Sequence, residues 1–118
     1  MKIFGTGIDI VEIKRIKRLM EKNNRFRDRV FTEQEIAYCE NKRKKYQHYA
    51  VRFAAKESVW KALGGTGIGL KTIEVRNTGR GKPQVYLKDK QIRKNRRIMI
   101  SLAHTDNYAV AQAIVVLI

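Results

Sequence analysis

The hydrophobic period of this chain changes at residues 64–65. Before Gly64-Gly65 the apolar residues recur every three to four positions, whereas beyond the stretch Gly64-Gly65-Thr66-Gly67-Ile68-Gly69 they alternate or run together. A period near 3.6 selects helices and a period of 2 selects strands. The fold class is therefore α+β, with helices mainly in the first half packed on a small antiparallel sheet formed by the second.

The helical half divides into three. A short strand over residues 3–7 leads into a helix in which Ile10, Ile13, Ile16, Leu19 and Met20 stand at helical spacing, with Lys14, Arg15, Lys17 and Arg18 on the other faces. Thr32 followed by Glu35 is a capping box and predicts a helix through about Lys44. Tyr46 to Leu63, rich in Ala and free of Pro, predicts a third, long helix stopped by Gly64-Gly65. In the other half, residues 71–76 (KTIEVR) and 84–88 (QVYLK) alternate around the turn NTGRGKP. Residues 98–104 (IMISLAH) and 108–118 (YAVAQAIVVLI) form a hairpin through Thr105-Asp106-Asn107. The last segment is almost wholly apolar, which predicts a central strand buried on both faces. A chain of 118 residues suits a single domain, 1–118, with a modest core. A site that needs many walls then has to borrow some from a second subunit.

The 26 Lys and Arg against 11 Asp and Glu leave a net charge of +15, which predicts a polyanionic partner. Nucleic acid, an anionic membrane surface, an acidic protein and a phosphorylated cofactor all fit that charge. No apolar run approaches the roughly 20 residues needed to span a bilayer, and Gly5, Gly7, Asp9 and Glu12 interrupt any signal-peptide core. Cys39 is the only cysteine, so no internal disulfide can form and the thiol reads as a buried, inert hydrophobe. These features point to the cytoplasm and away from a membrane.

Four groups of residues carry chemical possibilities. Asp9, in the apolar run Gly7-Ile8-Asp9-Ile10-Val11-Glu12, is either a helix N-cap or a carboxylate aimed at a metal. In the helix of Arg52 to Lys61, Phe53, Glu57 and Lys61 share one face. A surface Glu–Lys pair is the plain alternative there, but charges set among Ala, Phe and Trp call for compensation, which a metal on Glu57 and a phosphate on Lys61 would supply. The glycine-rich stretch lets a backbone approach phosphate closely, although it lacks the ending of a P-loop. His104 ends an apolar strand, where a structural role competes with ligand binding. His48 reads as a solvated helix residue, and neither histidine has partners at zinc-ligand spacing.

Taken in order, G-x-G-I-D-I-V-E-I-x-R-I, R-F-A-A-K-E-S-x-x-K-A-L-G-G-T-G, N-x-x-G-x-P and S-x-x-H-T resemble the holo-acyl-carrier-protein synthases, the small bacterial type of 4′-phosphopantetheinyl transferase. The resemblance covers nearly the whole chain; Ser58 where alanine is common and the doubled Gly64-Gly65 are its two departures. It implies that Asp9 and Glu57 bind Mg²⁺ and, with Lys61 on the phosphates, form the catalytic group. It implies further that Arg52, Lys61, Gly64, Gly65, Thr66, His104 and Thr105 line the coenzyme A site. Arg15, Arg25, Phe26 and Arg29 match the family's docking surface for acyl carrier protein, whose acidity the basic first helix suits. A homotrimer with sites between subunits is implied as well. The expected reaction is attack of a carrier serine on the β-phosphate of coenzyme A with loss of 3′,5′-ADP, either Glu57 or a water on the metal taking the proton. The competing reading, a basic nucleic-acid-binding module, accounts for the charge but leaves the Glu57–Lys61 pair unexplained and shows no recognisable binding motif. Nucleic acid is accordingly not expected as the physiological partner.

Overall fold

The computed structural model describes residues 1–65, 67–79 and 81–118. Strand β1 (Lys2–Glu12) leads into α1 (Ile13–Lys22), α2 (Arg25–Val30), α3 (Glu33–Glu40) and α4 (Lys45–Ala62). A single 3₁₀ turn (Leu70–Thr72) precedes the hairpin β2 (Ile73–Asn77) and β3 (Pro83–Leu87), then α5 (Lys90–Arg93), β4 (Arg96–His104) and β5 (Tyr108–Leu117). One antiparallel sheet has the order β1-β5-β4, and β2-β3 forms a second, two-stranded sheet. The expected α+β architecture is the observed one.

Helix α4 lies across one face of the three-stranded sheet and is buried on most of its sides, through Tyr49, Ala50, Ala54, Ala55, Val59 and Ala62. Its small residues meet the row Ala109, Ala111, Ala113 and Val115 of β5, so helix and sheet come close. Ile16, Phe31 and Cys39 close the core from α1 and the α2–α3 segment. Burial pushes the Cys39 thiol up to about 12, which keeps it an unreactive thiol as expected.

The capping box forms in both directions: Glu35 N–H donates to Thr32 Oγ1 at 3.2 Å and Thr32 N–H to Glu35 Oε1 at 2.9 Å. Helix α3 nevertheless ends at Glu40 rather than near Lys44, and a turn over residues 41–44 separates it from α4. The helix expected from about Gly7 begins only at Ile13. Residues 7–12 pair with β5 instead, Asp9 opposite Ala111 and Ile10 opposite Val110. Ile8 and Ile10 alternate with Gly7, Asp9 and Val11, a period of 2 that the helical spacing of Ile10, Ile13 and Ile16 masked. Helix α2 was not expected, because six residues with two apolar positions show no usable period. Strand β5 is central and its α4 face is buried, but the other face is covered only in part: Val116 is buried there, whereas Gln112 is exposed, beside Thr6, Ile8 and Ile10 of β1 and Met99 of β4.

Candidate active site

Two glycines decide where the first carboxylate lies. A Cβ on Gly7 would meet the carbonyl oxygen of Ser58 at 1.9 Å, and one on Gly5 that of Ala62 at 2.1 Å. Only residues without a side chain let β1 pass this close to the backbone of α4. Asp9, two residues beyond Gly7 and on the same face of the strand, is thereby brought to the Glu57–Lys61 edge of the helix. Asp9 is thus a strand residue, and the N-cap alternative falls: Glu12 occupies that position on α1 and makes no side-chain cap.

Lys61 Nζ donates to the Ile8 carbonyl oxygen at 3.0 Å and to Asp9 Oδ1 at 3.3 Å. The Glu57 carboxyl is pushed above its usual range, first by burial and then by the negative charge of Asp9, against the pull of Lys61 and Arg15. A partly desolvated carboxylate whose ionisation is opposed by a second carboxylate beside it forms a place where a cation is favoured. Hard oxygen donors from one or two carboxylates, completed by water and substrate phosphate, suit Mg²⁺. Among the described residues no group of three or more His, Cys, Asp or Glu could hold a metal, so the donor set fits that ion better than zinc. Beside Lys61 a cavity of about 380 Å³ opens onto the uncovered sheet face, lined also by Thr6, Ile8 and Gln112.

A second cavity, of about 270 Å³, lies toward the other end of α4 between His48, Arg52, Asn77, Gly81, Pro83 and His104. Arg52 is only 4% exposed. Its guanidinium lies 4.0 Å over the Tyr38 ring, and Nη2 donates to Asn77 Oδ1 at 2.8 Å. Its Nε is buried without a partner among the described residues. A mostly buried cation at a cavity wall is suited to an anionic ligand. Gln47 and His104 Nδ1 are 2.8 Å apart, which fixes the imidazole at the rim. The His48 pKa is lowered below its ordinary value, mainly by burial and next by the charge of Arg52.

The chain matches the family model described as the 4′-phosphopantetheinyl transferase superfamily over residues 5–113. It is 44% identical to a holo-[acyl-carrier-protein] synthase of Clostridium kluyveri, covering 95% of this chain and 89% of that relative. It is 45% identical to one of Geobacter sulfurreducens, covering 92% and 94%. The chain belongs to the 4′-phosphopantetheinyl transferase superfamily. Among solved structures, a holo-(acyl-carrier-protein) synthase of Bacillus anthracis in complex with CoA (3′,5′-ADP) superposes with a TM-score of 0.84 at 34% identity, covering 98% of this chain and 97% of that one. A holo-[acyl-carrier-protein] synthase of Neisseria meningitidis gives 0.84 at 31%, covering 97% and 98%.

Within this superfamily member the expected site residues fall into groups. Asp9, Glu57 and Lys61 come together, and Arg52 and His104 share the second cavity. Gly64 and Gly65, both with positive φ, terminate α4 just beyond Lys61 and line neither cavity. The Thr105 hydroxyl accepts from Asn107 and Tyr108 N–H, so it shapes the β4–β5 turn and is taken up there. Thr66 lies outside the described residues. Arg15, Arg25 and Arg29 are exposed, whereas Phe26 is half-buried against Phe31 and Phe53. His48 is half-buried at the second cavity rather than the solvated residue its polar neighbours suggested, and Arg43, Lys44 and Lys45 line a hollow of about 520 Å³ that shares Gln47 with that cavity. Tyr38 was missed altogether; its position one turn after Glu35, on the same face of α3, was the signal.

Proposed function

We propose that this chain transfers the 4′-phosphopantetheine arm of coenzyme A to a serine of apo acyl carrier protein and releases 3′,5′-ADP. The observation that carries the reading is the junction of Asp9, Glu57 and Lys61 across the glycine contact, in a chain whose relatives are holo-[acyl-carrier-protein] synthases. Asp9 and Glu57 would hold Mg²⁺. When bound, the ion supplies Lewis-acid polarisation of the pyrophosphate and offsets its developing charge. Lys61, anchored on the Ile8 carbonyl oxygen, presents its ammonium to the phosphates at the same place. Of the two carboxylates, Glu57 has the raised pKa that suits taking the serine proton. Arg52 and His104 would hold the nucleotide end of coenzyme A, whereas Gly64 and Gly65 stand at the Lys61 end of α4, away from that cavity.

The acidic carrier would dock on α1 and α2. Arg15 stands close enough to Glu57 to lower its pKa, and Arg15, Arg18, Leu19 and Lys22 line a shallow basic depression of about 200 Å³ on α1. Arg25 and Arg29 extend that surface around Phe26. The uncovered sheet face supports a homotrimer: Ile8 and Ile10 are 64% and 63% exposed, an apolar surface that second and third copies of the chain would cover. The carboxylates border that face, so each site would be completed by a neighbour. No helix among the described residues is long and apolar enough to cross a membrane. A single buried thiol suits the cytoplasm.

Intact-mass spectrometry of apo acyl carrier protein incubated with this protein, coenzyme A and Mg²⁺ tests the reading. The carrier should gain the mass of one phosphopantetheine arm, and the gain should disappear without a divalent ion. No gain under any divalent ion would overturn the assignment.

A further inference from the structure

Arg52 is held at its cavity by a polar contact that has a second, deeper counterpart. The outer contact joins Tyr38 of α3, Arg52 of α4 and Asn77 of β2: the guanidinium stacks on the tyrosine and donates to Asn77 Oδ1, whose amide donates to the Tyr38 hydroxyl at 2.7 Å. The inner one joins Glu35, Lys56 and Val75 of the same three elements. Glu35 Oε1 accepts from Lys56 Nζ and Oε2 from Val75 N–H at 2.8 Å. Glu35 and Tyr38 are three residues apart on a helix, Arg52 and Lys56 four apart on a helix, and Val75 and Asn77 two apart on a strand. Each spacing returns to the same face of its own element, so the two contacts lie one above the other. Both side chains of the inner pair are 0% exposed.

A buried ion pair gives little net stability over well-packed apolar residues of the same volume, but its directional bonds can fix one register. Helix α4 has use for such a device. Four of its nine buried residues are alanine, at positions 50, 54, 55 and 62, and small flat surfaces specify rotation about the helix axis poorly. We propose that Glu35 and Lys56 are positioning residues for Arg52: the pair fixes α3, α4 and β2 in the one arrangement in which Tyr38, Asn77 and Arg52 meet at the cavity wall. The inference rests on the reading that Arg52 meets the nucleotide end of coenzyme A. Asp9, Glu57 and Lys61 lie along the β1 side of α4, so loss of the pair acts on donor binding more than on turnover.

The test is steady-state kinetics of carrier loading by the Glu35→Gln/Lys56→Met double variant, with folding checked by circular dichroism and melting at the assay temperature. Gln keeps one of the two acceptor oxygens that Thr32 N–H and Val75 N–H use, and Met fills the volume of the lysine stem. The folded double variant should show a KM for coenzyme A raised about tenfold or more, with kcat within about twofold of wild type. A role in stability alone would lower apparent kcat through loss of folded protein and leave KM where it was. Glu35→Gln alone is the second variant: the buried Lys56 can then shed its proton rather than stay an unpaired charge, and the same rise in KM is expected. A folded variant whose KM stays within about twofold of wild type overturns the proposal. Wild-type protein and Asp9→Ala run beside them, the first expected to load the carrier and the second to fail. Should wild type not load it, the reading of the site is what falls, and the coupling of Glu35 and Lys56 to Arg52 then falls with it.

Discussion

Glu57 holds a charge that its surroundings oppose, and this gives the residue a signature in the absence of any ligand. Its folded-state pKa lies above the ordinary 4.5 because of burial and the charge of Asp9, so the folded protein binds this proton more tightly than the unfolded chain does. The sign follows: the contribution of Glu57 to stability is fully present below pH 4.5 and is lost as pH rises through the raised folded-state value. At pH 7, metal-free Glu57→Gln protein should therefore melt higher than wild type, by about 2–5 °C, while its transfer activity falls by about 10²-fold or more. Differential scanning fluorimetry with and without Mg²⁺ checks the first half, the ion raising the melting temperature of wild type and not that of the variant. Identical melting of the two metal-free proteins would mean that neither burial nor Asp9 opposes the charge on Glu57.

At the scale of elements, the contact of β1 with α4 builds the site. Asp9 and Glu57 are 48 positions apart in the chain, and they meet because Gly5 and Gly7 remove the atoms that would hold strand and helix apart. Gly7→Ala places a Cβ where the Ser58 carbonyl oxygen stands, so the strand has to lift. The expected loss is about 1–3 kcal/mol in urea denaturation, with transfer activity falling further than the unfolded fraction accounts for, because Asp9 moves with the strand. Full activity in the folded Ala variant would show that β1 has room to spare. Much of this scale was legible beforehand: the Thr32–Glu35 box forms as read, α4 ends one residue from each expected limit, and the four-residue step from Glu57 to Lys61 holds. Helix periodicity is a local property that a side-chain pattern reports directly. The start of α1 was not legible, because residues 7–12 satisfy a helical and a strand period together and only the pairing partner, β5, decides between them.

At the scale of the whole molecule, exposed aliphatic side chains among the described residues form an apolar surface that adjoins the candidate site. Ile8 and Ile10 of β1 and Met99 of β4 project from the sheet face opposite α4. Exposed aliphatic side chains arranged as a face, rather than scattered, mark a surface that another chain covers. Size-exclusion chromatography with light scattering should give the mass of three chains for wild type. Ile10→Asp should give a folded single chain whose carrier loading falls about 10²-fold if, as proposed, a neighbour supplies one wall of each site. A monomeric and fully active variant would place the whole site within one chain.

Residues close together in the chain settled the α+β class, the capped third helix, the long central helix and the pairing of Glu57 with Lys61 on one face, since these depend on spacing alone. Their distant neighbours settled the rest. The glycines that bring Asp9 to Glu57, the lock of Arg52 on Tyr38 and Asn77, and the open face of β5 each depend on which surfaces come into contact. Contacts of that kind carry no period in the sequence, because the partner lies tens of residues away or on another chain.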